Sequence, residues 1–191
     1  MNIRLYNARI LTMEENREIF EGEIWVQDEK ILYVGNGQDT HETCDSLPYE
    51  GISWDKEMDC GGNLLMPGFK NAHTHSAMTL MRSYADDLPL DEWLNHKIFP
   101  IEAKMTPEDI YHLSKLAVLE YLTSGITAAF DMYLTPETIA DAFDHMGMRC
   151  VQAGGVNNFS QSPEMVEEMY LKLNKKSPLQ YYIIGFHAEY T

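Results

Sequence analysis

The sequence predicts an α/β chain. A small N-terminal β-sandwich portion covers residues 1–60, and residues 61–191 hold about four βα units, a partial (β/α)8 TIM barrel. Three observations carry this expectation. The first 60 or so residues are short alternating runs separated by tight turns, as in a small sheet or sandwich. After Cys60, helical segments alternate with short apolar strands, the pattern of βα units on a parallel sheet. The first of those strands ends in His73-Thr74-His75. A whole eight-unit barrel takes about 250 residues, and this chain has 191, so about half a barrel is expected. A four-stranded doubly wound sheet is the competing architecture.

The elements follow in order. Ile3-Arg4-Leu5-Tyr6 alternates apolar and polar residues, and Ala8–Met13 forms a second run after Asn7. Gly22–Gln27 alternates again, Asp28-Glu29-Lys30 is a polar turn, and Ile31–Gly35 follows it. Residues 36–57 read as irregular, punctuated by Pro48, Gly51 and Ser53. Leu64–His73 reads as one strand entering a buried site. Pro107–Ser124 is a helix, with Thr106 as N-cap, Pro107 at its first position and Gly125 at its end. Ile126–Met132 is the next strand, and Glu137–Met146 is a helix closed by Gly147. Arg149–Gly154 is a third strand, Ser162 caps a helix from Pro163 to about Asn174, and Tyr181–His187 is a fourth strand.

Composition narrows the function classes. Lys and Arg number 14 against 30 Asp and Glu, a formal net charge of −16. Such a surface repels nucleic-acid phosphates and anionic membranes, so neither is an expected partner. No apolar run approaches the roughly 18 residues of a membrane span. No apolar stretch follows Arg4 as in a secretory signal, which makes the cytoplasm the expected compartment. Cys44, Cys60 and Cys150 are widely spaced and odd in number, as reduced thiols are.

His73 and His75 are the chemical centre of the sequence. Side chains at i and i+2 of a strand share a face, and active sites of parallel barrels lie at the strands' C-terminal ends. Two imidazoles placed there can share one divalent metal: zinc first, with iron or nickel also suited to imidazole. Alone, the spacing equally describes two polar loop residues. Glu102, read by itself, is a helix-capping or surface carboxylate. Trp93 either walls a pocket or packs in the core. Asp131, at the end of the second strand, reads as structural. His96, His112 and His145 read as ordinary helix and surface residues.

Longer stretches resemble a known family. Pro67-Gly68-Phe69-Lys70-Asn71-Ala72-His73-Thr74-His75 resembles the first barrel strand of the amidohydrolase superfamily. Residues 78–94, with Ala85-Asp86-Asp87-Leu88-Pro89-Leu90 at their centre, resemble its branch of S-adenosylhomocysteine and 5′-methylthioadenosine deaminases and related chlorohydrolases. Ile98–Glu102, Gly125-Ile126-Thr127, Asp131-Met132-Tyr133 and Gly147-Met148-Arg149 continue the likeness. The resemblance implies hydrolytic removal of an amino group from a small-molecule heterocycle by water that a metal activates. It implies that His73 and His75 are the first two metal ligands and that Glu102 contacts ribose hydroxyls. It also implies that His187 faces the substrate; His187 read alone is a third ligand or a core histidine.

The remaining ligands and the proton-shuttling Glu belong to later strands in such enzymes. The resemblance therefore assigns no catalytic residue within these residues. The expectation is the N-terminal part of a longer enzyme, with an isolated chain that binds metal weakly and is inactive. A homo-oligomer covering the open barrel edge is expected as well. S-adenosylhomocysteine-acting relatives carry an Arg near the end of the third strand. Here that stretch is Gln152-Ala153-Gly154-Gly155, which favours a neutral adenosine-type nucleoside or another aminated heterocycle. A chlorohydrolase or cyclic amidase, or a non-catalytic half-barrel assembly module, are the alternative readings.

Overall fold

The computed structural model describes residues 1–36, 52–158 and 160–186. Its contacts divide the chain into two units, Met1–Pro67 and Gly68–Thr191. Pro48, Gly51 and Cys44, noted above, lie outside the described residues, as does His187.

The first unit is one sheet. It comprises β1 (Asn2–Ile10), β2 (Phe20–Gln27), β3 (Lys30–Gly35), β4 (Lys56–Asp59) and β5 (Leu64–Leu65). The order is β3-β2-β1-β4, with β5 also on β1. The two runs expected on either side of Asn7 are a single strand. Asn7 adopts φ 55 and the register with β2 shifts between Leu5 and Ala8, so the break in alternation is a bulge. Asn is one of the residues that visits this left-handed conformation readily, and here its Nδ2 donates across to Asp59 Oδ1 on β4 at 2.7 Å. Strand β4 was hidden in the sequence because all four of its residues are exposed and none alternates. The Trp25 ring packs 4.6 Å from Tyr33 and 5.3 Å from Trp54. Glu23 is buried beside it, accepting from Trp25 Nε1 at 2.9 Å and Arg4 Nε at 2.8 Å. Those bonds offset the desolvation of its carboxylate.

The second unit carries the parallel sheet. Its strands β6 (Phe69–Thr74), β7 (Ile126–Asp131), β8 (Arg149–Ala153) and β9 (Gln180–Ile183) lie side by side in chain order, all parallel. Between β6 and β7 run a 3-10 turn at Ser76–Met81, α1 (Leu90–Trp93), a π turn at Leu94–Ile98, α2 (Phe99–Glu102) and α3 (Pro107–Thr123). Helices α4 (Pro136–Met146) and α5 (Pro163–Leu173) follow β7 and β8. Local chemistry sets the helix ends. Thr106 and Asp109 form a reciprocal capping box at the start of α3. Ser162 accepts the Met165 N–H at the start of α5. Gly147 ends α4 in the left-handed conformation, φ 69.

Two further strand expectations need correction. The run Leu64–His73 is not one strand, because Pro67 offers no N–H to a ladder. Leu64 and Leu65 pair with β1, whereas Phe69–Thr74 pair with β7. The division between units therefore falls at Pro67/Gly68 and not at residue 60. The fourth strand stops at Ile183, with one further bridge from Phe186 to Val156.

Helices α3 and α4 pack on the sheet through a fully buried cluster that includes Ile110, Val118, Ala129, Ile139, Phe143 and Cys150. Burial pushes the Cys150 thiol well up, so it acts as a small apolar group. Beyond β8, Gly154 lets α5 approach: a Cβ there would stand 2.4 Å from Val166 Cγ1. Among the described residues, β6 and β9 each pair on one side only. Phe69, Ile184 and Phe186 near these edges are 57%, 58% and 76% exposed. Among the described residues, no helix is long and apolar enough to cross a membrane. Replacing Phe143 with Ala is expected to cost about 3–5 kcal/mol through the cavity it leaves. The midpoint of urea unfolding should fall accordingly, and an unchanged midpoint would contradict this account of the core.

Candidate active site

The parallel strands deliver three chain segments to one place. His75 follows the last residue of β6, Met132–Leu134 follow β7, and Gly155–Gln161 follow β8. Helices α1 and α2 add Trp93 and Glu102. Together they line a cavity of about 600 Å³ at the C-terminal ends of the strands. His75 and Glu102 are its ionisable side chains apart from the Tyr133 phenol, and its described lining holds no Lys or Arg.

The two histidines meet as the spacing suggests. Their ring centroids are 5.1 Å apart, with the planes nearly perpendicular at 81°. Two imidazoles on one tetrahedral zinc, each bonded at about 2.0–2.1 Å, place their ring centroids roughly 5 Å apart. The centroid spacing of the pair is of the size that one shared metal ion requires. His75 is also oriented from behind. Its Nδ1 lies 2.5 Å from the Met132 carbonyl oxygen. A carbonyl only accepts, so Nδ1 carries the proton and the Nε2 lone pair is left for a metal. His73 is exposed at the strand end. Among the described residues no group of three or more His, Cys, Asp and Glu converges on a metal position. The described residues thus bring two candidate ligands, His73 and His75, together.

Hydroxyls and a buried acid hold the turn that carries His75. The Tyr121 hydroxyl on α3 lies 2.6 Å from Thr74 Oγ1 and 3.1 Å from Ser76 Oγ. Burial raises the Tyr121 pKa, which keeps this hydroxyl protonated. Asp131 is fully buried and accepts the Ser76 N–H at 3.3 and 3.4 Å through its two oxygens. Burial pushes its carboxyl up to about 6, against the opposing pull of Ser76. The structure thus gives Asp131 a structural place behind the site.

Glu102 and Trp93 share the cavity with His75. Sequence reasoning did not single out Tyr133, Asn157 or Gln161, which also line it. Tyr133 lies 6.3 Å from the His75 ring, and its hydroxyl points to Met105 Sδ at 3.7 Å. Burial and the neighbouring Glu102 carboxylate push its phenol well up, so it stays a hydrogen-bond donor. Its signal was positional: it stands just beyond a parallel strand's C-terminal end, where site residues gather.

Residues 64–181 match the sequence profile of the Amidohydrolase family. The chain belongs to that family. Among curated relatives, this amidohydrolase is 41% identical to a 5-methylthioadenosine/S-adenosylhomocysteine deaminase of Pelotomaculum thermopropionicum, over 87% of the chain and 37% of the relative. It is 40% identical to a 5′-deoxyadenosine deaminase of Methanosarcina mazei, over 81% of the chain and 33% of the relative. Among solved structures, an adenosine deaminase from Xanthomonas campestris with bound zinc superposes with a TM-score of 0.81 at 26% identity. That match covers the whole chain and 43% of the other. The amidohydrolase chain thus spans roughly two fifths of the length of these proteins, and its second unit corresponds to part of their barrel.

The acid–base consequence of Asp131 is testable on the metal-free chain. Its pKa in the folded state is raised from 3.8 to about 6, so folding binds a proton there between those values. Its ionisation lowers stability as pH rises through that window and leaves the loss in place above it. Asp131→Asn should therefore stabilise the chain at pH 7 by on the order of 2–3 kcal/mol, with little difference at pH 3.5. Urea titrations at both pH values check this; an equal effect at both would refute it.

Proposed function

We propose that these residues contribute the first part of a zinc-dependent aminohydrolase site that deaminates an adenosine-type nucleoside. The observation that carries this reading is the His73–His75 pair, at a spacing suited to one tetrahedral ion, beside a cavity that holds one carboxylate. The deaminase relatives support the reaction class, and the zinc in the adenosine deaminase structure supports the metal.

In this reading the chain's residues bind and orient. His73 and His75 would hold the metal through imidazole nitrogens, with the Met132 carbonyl fixing the tautomer of His75. When bound, such a metal supplies a water whose pKa is lowered to about 7. Glu102 accepts hydrogen bonds from two neighbouring sugar hydroxyls, as a carboxylate can. Tyr133 stands beside Glu102 in the cavity wall, its phenol kept protonated by burial and by that carboxylate. Trp93, Phe99 and Met78 give the flat base an apolar surface and exclude water from it. His187 faces the substrate in the same reading. The absence of Lys and Arg from the described lining supports a substrate without a phosphate or carboxylate. The reading places the enzyme in the cytoplasm.

The test is ammonia release by the polypeptide carrying this chain at the length of its relatives. Adenosine, 5′-deoxyadenosine and 5′-methylthioadenosine are the substrates to try. Activity should vanish with a zinc chelator and return with zinc. Glu102→Gln should raise KM for adenosine by about 10–100-fold, the worth of hydrogen bonds to a charged acceptor. Chloride release from a chlorinated heterocycle without ammonia release would overturn the deaminase reading. The 191 residues alone should show no turnover, since they bring two ligands to the site.

The open edges of β6 and β9 are the places where further strands, or a second copy, would pair. The isolated chain should therefore self-associate in light scattering. A stable monomer at micromolar concentration would count against a second copy at that edge.

A further inference from the structure

The segment after β8 builds a fixed amide in the cavity wall. The Gly155 N–H donates to Gln161 Oε1 at 2.9 Å. A backbone N–H can only donate, so the amide orientation follows from chemistry: the oxygen faces Gly155 and Nε2 faces elsewhere. Gln161 is half-buried and lines the cavity, and its Nε2 donates to none of the described residues. Further bonds of this loop do not use the Gln161 side chain. Asn157 Nδ2 donates to the Gly155 carbonyl at 2.7 Å and Ser160 Oγ at 3.1 Å. Asn157 Oδ1 accepts the N–H groups of Ser160 at 2.7 Å and Gln161 at 3.4 Å. The Asn157 N–H in turn bonds the Gln161 carbonyl at 3.0 Å. Gln161 thus stands in the cavity wall with an uncharged pair of N–H donors that no described residue takes up. It reaches the cavity from a strand end two strands away from the one that carries His75 and precedes Glu102.

We propose that Gln161 is a specificity-determining residue whose amide N–H2 donates to a neutral acceptor oxygen at the 5′ position of the nucleoside. The assignment rests on the deaminase reading above. In that reading the metal end takes the amine-bearing ring and Glu102 takes the sugar diol, which leaves the 5′ substituent for the third wall. A neutral amide suits a hydroxyl or ether oxygen. It does not neutralise a phosphate or carboxylate, and neither does any other described residue of the lining. The contact is remote from the reacting carbon, so it is made equally in the ground state and the transition state. Its loss raises KM and spares kcat.

The decisive comparison uses adenosine, which has the 5′ oxygen, and 5′-deoxyadenosine, which lacks it. It is made on the zinc-loaded, relative-length polypeptide. Gln161→Glu keeps an oxygen for the Gly155 N–H and replaces the donor with an acceptor. Its carboxylate can accept from the 5′ hydroxyl instead, so it should not lower the kcat/KM ratio of adenosine to 5′-deoxyadenosine. Gln161→Met removes the donor without adding charge and should lower the ratio by about tenfold, carried by KM. A ratio within about twofold of the parent's in both variants overturns the assignment, as does a change confined to Gln161→Glu, which would report its charge. A loss expressed in kcat for both substrates also overturns it. Release of no ammonia from either substrate by the parent enzyme overturns the deaminase reading itself, and this assignment with it.

Discussion

The hydrogen bond from His75 Nδ1 to the Met132 carbonyl ties the end of β6 to the end of β7, and the candidate site is organised around it. A histidine can bind a metal only through a nitrogen that has lost its proton, and the free ring has two tautomers to choose from. The carbonyl removes that choice. It can do so because β6 and β7 are parallel neighbours whose ladder continues past the strands, with the Met132 N–H on the Thr74 carbonyl at 3.2 Å. The same few residues carry the Tyr121 hydroxyl bridge and the Asp131–Ser76 bond. Side chain, turn and strand register are therefore one construction, and the ring follows when the sheet forms.

Much of the second unit was legible because its signals are local. Thr106, Ser162, Gly125 and Gly147 act within one helical turn, and the helices they bound run within a residue or so of expectation. The first unit was harder to read. Asn7 looked like a gap between two strands because a bulge interrupts alternation without ending the ladder. Strand β4 has no alternation to read, since its residues are all exposed. The run Leu64–His73 misled for the opposite reason. It is apolar enough for a single strand, yet Pro67 divides it between two sheets.

The site was legible in part. The spacing of His73 and His75 carries its own geometry, because a strand puts i and i+2 on one face. Glu102 came from the family resemblance, Trp93 was open between pocket wall and core, and both line the cavity with His75. Tyr133 and Gln161 escaped because their roles depend on which strands are neighbours, and a run of residues does not state that. Gln161 in particular acquires its orientation only when the segment after β8 folds back on Gly155. The identity of one atom, oxygen or nitrogen, depends there on a backbone N–H six residues earlier.

The strand order β6-β7-β8-β9 has a consequence for how the chain is made. Each strand lies beside the one translated just before it, so every new βα unit finds its docking surface already out of the ribosome. Contacts of this kind close short loops and form quickly. Assembly can then be vectorial, one unit upon the last. His73 and His75 emerge with the first strand of the series, and the Met132 carbonyl emerges with the second. Ring orientation at the candidate metal position can thus be settled early in translation, before β8 and β9 have been synthesised.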